Sequence, residues 1–196
     1  MLVIDFGYYS GNTELMPKTI TENASGADNQ QERLISGDWI IGFVEGEGCF
    51  SIGFVKQPGG KTRRGYSTGI QVWHEFVITQ GESSLSALQK IERYFGVGKI
   101  YLNKRHDNHR EHLYRYVVRK REDLLNVIIP FFNQHTMHTF KKKQFERFDS
   151  ILKMIATNDH LTLEGLVKII HISEKMNSRK NRDELIRILR EHTSQS

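Results

Sequence analysis

The segment WIIGFVEGEGCF, residues 39–50, sets two carboxylates, Glu45 and Glu47, among the glycines Gly42, Gly46 and Gly48. Ser36 can cap a helix running through Asp38 to Glu47, which puts Gly42 and Gly46 on one face. Each costs about 1 kcal/mol relative to alanine unless a close backbone contact recovers it, as small-residue pairs do where two helices touch. The glutamates would then end the helix where its dipole disfavours negative charge, a conflict that a bound cation would relieve. Hard oxygen ligands suit magnesium, which takes one or two carboxylates plus water and phosphate oxygens. The same residues also fit two solvated glutamates beside a glycine turn.

Other chemistry-bearing residues are sparser. Lys141 to Lys143 in FKKKQF read as a solvated cluster. His106, His109 and His112 share a polar turn without cysteine, and strand spacing scatters their rings. His135 and His138 are no better placed, so no zinc is expected. The single Cys49 cannot form an internal disulfide, which predicts an intracellular address. No apolar run approaches the roughly 20 residues of a membrane helix, and the start lacks a signal-like basic flank, so no membrane partner is expected.

The elements that must position these groups follow from periodicity. Residues 1–33 read as a loosely ordered extension, and 34–196 as a single domain. After the first helix, Phe50, Ile52 and Phe54 alternate as a strand, Gln57 to Gly65 form a basic hairpin loop, and Val72, His74, Phe76 and Ile78 mark a second strand. Leu85, Leu88, Ile91 and Phe95 give an amphipathic helix closing at Gly96. GVGKIYLNKR and YRYVVRK form another strand pair. Helices over 122–132 and 141–155 precede a helical region from 161 to 192. Trp39, Phe43 and Phe50 read as core. The fold class is α+β, ordered α-β-β-α-β-β-α on four antiparallel strands, with extra C-terminal helices.

Twenty-eight Lys and Arg against 23 Asp and Glu give a formal charge of +5, which favours an anionic partner, with nucleic acid leading. An antiparallel sheet with one face on the core leaves a face that fits a DNA groove. By alternation its outward residues are Ser51, Gly53 and Gln57, then Gln71, Trp73 and Glu75. Lys99, Tyr101 and Asn103 follow, with Arg115 and Arg119. At the loop tips Lys56, Lys61, Arg63, Arg64, Lys104 and Arg105 would touch phosphates.

IIGFVEGEGCF resembles the signature of the LAGLIDADG homing endonucleases of single-motif, homodimeric type. FVITQ at 76–80, FGVGKIY at 95–101, IIPFF and the later FKKKQF extend the resemblance over residues 34 to about 190. It implies a DNA-binding saddle made by the sheet, and a metal position at Glu47 with Gly46 beside it. It implies magnesium there, with manganese able to take its place. It also implies that Gln80 and Lys141 join Glu47 in catalysis. One motif per chain implies a homodimer through Ile40, Gly42, Phe43 and Gly46.

The activity implied is cleavage of one phosphodiester on each strand of a long double-stranded DNA target, leaving cohesive ends and promoting mobility of the encoding intron. Such proteins reside in bacterial or archaeal cytoplasm, or in an organelle such as a chloroplast or mitochondrion. Both motif acids are Glu rather than Asp, Ile41 replaces a small residue, and Ser84 stands where some relatives carry a base. Two other readings share the scaffold: a splicing maturase, which adds intron RNA as a partner, and a non-cleaving DNA-binding regulator.

Overall fold

The computed structural model describes residues 13–15, 35–56, 68–104, 111–176, 185–187 and 189. Ser36, extended at φ −79° and ψ 156°, accepts the N–H of Trp39 at 3.2 Å and starts helix α1, Gly37–Glu47. The helix passes without a loop into β2, Gly48–Lys56. Gly48 permits that join, because a Cβ there would lie 2.6 Å from Val44 Cγ1. Strand β3 is Ile70–Gly81, and α2, Leu85–Phe95, buries Leu88, Ile91 and Phe95. It ends at Gly96, φ +66°, whose N–H bonds to the Glu92 carbonyl at 2.9 Å.

Strands β4, Lys99–Asn103, and β5, Leu113–Val118, follow. Helix α3 spans 121–134 and carries a wider turn at Leu124–Ile128, where the Ile129 N–H reaches back five residues to the Leu124 carbonyl. Pro130 is the physical reason. It offers no N–H, and in a regular helix its ring would strike the carbonyl four residues earlier. Helices α4, Lys141–Ala156, and α5, Leu163–Glu174, come next, and residues 185–187 and 189 are helical. The region expected to be helical from 161 therefore breaks after Glu174.

The strands are hydrogen-bonded in the order β1-β4-β5-β3-β2, where β1 is Thr13–Leu15. The α+β class and the α-β-β-α-β-β-α order with added C-terminal helices hold, and β1 adds an edge strand beside β4. Thr13–Leu15 is a short strand within the stretch expected to be a loosely ordered extension. The rest of that stretch, the hairpin loop and most of the histidine turn lie outside the described residues.

Packing divides the chain into two compact units interleaved in sequence, where composition led us to expect one core. The first contains Phe50–Glu75 and Met137–Ser196. Its core sets Phe50 against Phe145 and Phe148, both at 5.4 Å between ring centroids. The Gln144 amide donates to the Met176 carbonyl at 3.2 Å, and Arg147 donates to that of Lys175, so α4 holds the end of α5.

The second unit contains Tyr9–Cys49 and Phe76–Thr136. Edge-on rings fill it, with Phe76 on Phe132 at 5.5 Å and Phe95 on Phe131 at 5.0 Å. Tyr116 donates to the Val97 carbonyl at 2.7 Å, and burial pushes its phenol pKa far above the usual value. His135 stacks on Phe131, and its Nδ1 lies 2.8 Å from the Phe131 carbonyl. Among the described residues no helix is long and apolar enough to cross a membrane.

Candidate functional site

Helix α1 buries Ile40, Ile41 and Val44 and presents Trp39, Gly42, Phe43 and Gly46 on its other side, the i, i+3, i+4, i+7 spacing of one face. Trp39 and Phe43 stack at 4.9 Å with 17° between ring planes. A Cβ at Gly42 or Gly46 would meet nothing within 4 Å among the described residues, so neither glycine is needed for packing against them. Two of the expected assignments are corrected here. Ile40 is 0% exposed, and so is a core residue of its own chain rather than an outward contact; Trp39, expected in the core, is 40% exposed.

Glu47, the last residue of α1, is exposed. The last turn has no basic residue, so Glu45 and Glu47 sit at the end of the helix where its dipole disfavours negative charge. At α4 the signs reverse. Lys141, Lys142 and Lys143 fill its first turn, which holds no acid. Each of the two helix ends carries charge of the sign its own dipole disfavours.

Gln80 lies in the same unit as Glu47. It pairs with Tyr114 across β3 and β5 and shares a sheet face with Ile78 and Phe76, so it stands on the core side near the strand end, half-buried. Lys141 belongs to the other unit, where its N–H bonds to Thr139 Oγ1 at 3.2 Å.

Register sorts the outward residues. In the second unit Tyr101 pairs with Arg115, and Arg115 with Thr79, so these three form one row across β4, β5 and β3. Lys99 heads the next row with Val117 and Val77, while Asn103 stands in the row of Leu113 and Gly81. Arg119 is exposed just past β5. Thr79 is an addition that alternation allows but only register makes visible.

In the first unit Ser51 and Gln71 are half-buried and Lys56 is exposed. A Cβ on Gly53 would sit 2.0 Å from the Trp73 indole, which therefore lies against that glycine. Gly53 is corrected from an outward reader to the covered floor beneath Trp73. Glu75 is corrected too, being only 5% exposed and so closed to an outside ligand. Gln57, Arg63, Arg64 and Arg105 lie outside the described residues.

The model of the LAGLIDADG endonuclease family matches residues 40–152. The chain belongs to the LAGLIDADG endonuclease family. It is similar to the probable intron-encoded endonuclease 2 of Neurospora crassa, 28% identical over 142 residues, or 71% of this chain and 27% of that one. The chain spans between about a fifth and a half of the length of the curated relatives it matches, 22% to 46%. Among solved structures it resembles the homing endonuclease I-TnaI, with a TM-score of 0.65 and 37% identity, covering 81% of this chain and 98% of that one. It also resembles I-SmaMI bound to an uncleaved DNA target in the presence of calcium ions, with a TM-score of 0.65, 27% identity, and 76% and 47% coverage.

Proposed function

We propose that this LAGLIDADG chain is a site-specific DNA endonuclease that works as two copies and cuts one phosphodiester on each strand of a long duplex, leaving cohesive ends. The observation that carries this reading is the exposed Glu47 carboxylate, held at the negative end of α1 beside an outward face of Gly42, Phe43 and Gly46. A helix with that face can meet its equivalent in a second copy at close range, which would set two Glu47 side chains near one axis. The match to almost all of I-TnaI but about half of I-SmaMI supports two copies.

The donor set suits a hard divalent ion: one exposed carboxylate per chain, with the Gly46 backbone beside it, leaves room for water and phosphate oxygens. Magnesium, or manganese in its place, would there supply charge that activates a water and offsets the growing charge on the phosphate. Glu47 holds that position. Gln80, both donor and acceptor, orients water, and Lys141 screens phosphate charge. In one unit the row Tyr101, Arg115 and Thr79, with Asn103 and Lys99, offers side chains to a DNA groove, where Arg can bond guanine; in the other, Gln71 can bond adenine and Ser51 can contact the same kind of edge. The intron-encoded Neurospora relative supports a mobile-intron role and an address where such introns reside.

The test incubates purified protein and a Glu47→Gln variant with a randomised long-duplex library, in magnesium or in calcium, and sequences the ends. Wild type in magnesium gives one recurrent cohesive cut, and the variant loses it by about a thousandfold, the scale of a lost metal-borne stabilisation. Enrichment of DNA without cutting would leave a regulator, and retention of structured RNA alone would leave a maturase.

A further inference from the structure

Phe140 is 61% exposed, more than any other exposed large apolar side chain among the described residues. It occupies the turn that opens α4, directly before Lys141, Lys142 and Lys143. The turn is pinned. The N–H of Lys141 bonds to Thr139 Oγ1 at 3.2 Å, that of Lys142 to the Thr139 carbonyl at 3.1 Å, and that of Lys143 to the Phe140 carbonyl at 3.1 Å. The ring therefore projects from a fixed corner. Because these first backbone N–H groups are already bonded, the pull on an anion at this corner comes from the lysine side chains.

Water is a poor neighbour for a phenyl ring, and the charges around it restrict what else could cover it. The same corner of a second copy would bring three lysines against three lysines. A duplex offers what the corner lacks: phosphates for the ammonium groups, and the apolar interior of the base stack for the ring. Apolar side chains flanked by basic ones enter the minor groove and pry base steps apart.

We propose that Phe140 is a wedge that enters the minor groove of the bound duplex and partly unstacks one base step while Lys142 and Lys143 hold the flanking phosphates. This rests on the DNA-cleaving reading and adds a specificity determinant to it. Pyrimidine–purine steps are the easiest to open, so the wedge selects sequence by deformability at a step that no hydrogen bond reads.

The test measures binding of the full chain, in calcium, to two labelled duplexes of one mixed sequence by fluorescence anisotropy. One is fully paired; the other carries a mismatch at every fifth pair, so that an opened step is in reach whatever the register. Wild type binds the mismatched duplex about tenfold more tightly, since the cost of unstacking is already met there. Phe140→Ala loses that preference while still binding the paired duplex, and Phe140→Leu keeps part of it; circular dichroism checks that both fold. A preference absent in wild type, or unchanged in Phe140→Ala, overturns the wedge and leaves the nuclease reading standing. A shift in the monomer–dimer balance of Phe140→Ala without a change in the DNA ratio also overturns it, assigning the ring to a second copy. Failure to bind either duplex overturns the wedge and the DNA reading together.

Discussion

At Glu47 the carboxylate and the helix that carries it oppose one another, and the opposition has a measurable sign. With metal chelated, Glu47→Gln should raise stability toward urea by about 0.3–1 kcal/mol, since a negative charge leaves the negative end of α1. Magnesium should then stabilise wild type and not the variant, so the two melting temperatures converge or cross as metal is added. Gly53 is a second such point. Gly53→Ala forces the Trp73 indole off the strand and should cost about 1–3 kcal/mol in urea unfolding, with a change in tryptophan emission. Individual residues were only partly legible in the sequence. Alternation put Phe50, Ile52 and Phe54 on the core side, where they are. For Gly53 and Glu75 it could say which face a side chain takes but not what covers it. Helical spacing likewise did not settle which side of α1 turns outward, so Ile40 and Trp39 were read the wrong way round.

Helix α1 combines a good cap, a clean stop and an outer face built from the two weakest positions of its length. In a helix with no partner, Gly42→Ala should stabilise by about 0.5–1 kcal/mol, because the new methyl meets nothing and the backbone loses entropy. If the face meets its equivalent, Gly42→Ala and Gly46→Ala should instead weaken self-association, read by sedimentation across a concentration series. Ser36→Ala removes the acceptor for the Trp39 N–H and should cost about 1 kcal/mol in thermal unfolding whatever the assembly. Elements that announce themselves by period and punctuation, such as α2 with its closing Gly96, were legible. Strand β1 was not, because Thr-Glu-Leu has no alternation of its own and is a strand only by pairing with β4. The wide turn in α3 was half legible: Pro130 stood in the sequence, but a proline marks a disturbed helix without saying whether the helix stops or widens around it.

The boundary between the two interleaved units falls inside two strands, after Cys49 in β2 and after Glu75 in β3. Composition could set the net charge and favour an anionic partner, but neither charge nor length carried the packing boundary. The charge makes its own prediction for the assembly. Binding to a mixed-sequence duplex should weaken steeply with salt. Lys142→Gln, present twice in a homodimer, should reduce the slope of log K against log salt by about 2, near 0.9 for each phosphate that is no longer neutralised.

The chain holds two tryptophans, and the structure puts them in two different places: Trp39 on the outer face of α1, stacked with Phe43, and Trp73 against Gly53. The protein thus carries its own pair of optical reporters. On the proposed function, a Trp73→Phe variant would leave an emission that follows one chain meeting another, and a Trp39→Phe variant one that follows the sheet meeting its duplex. The order of pairing and loading can then be timed in a stopped-flow instrument without attaching a dye.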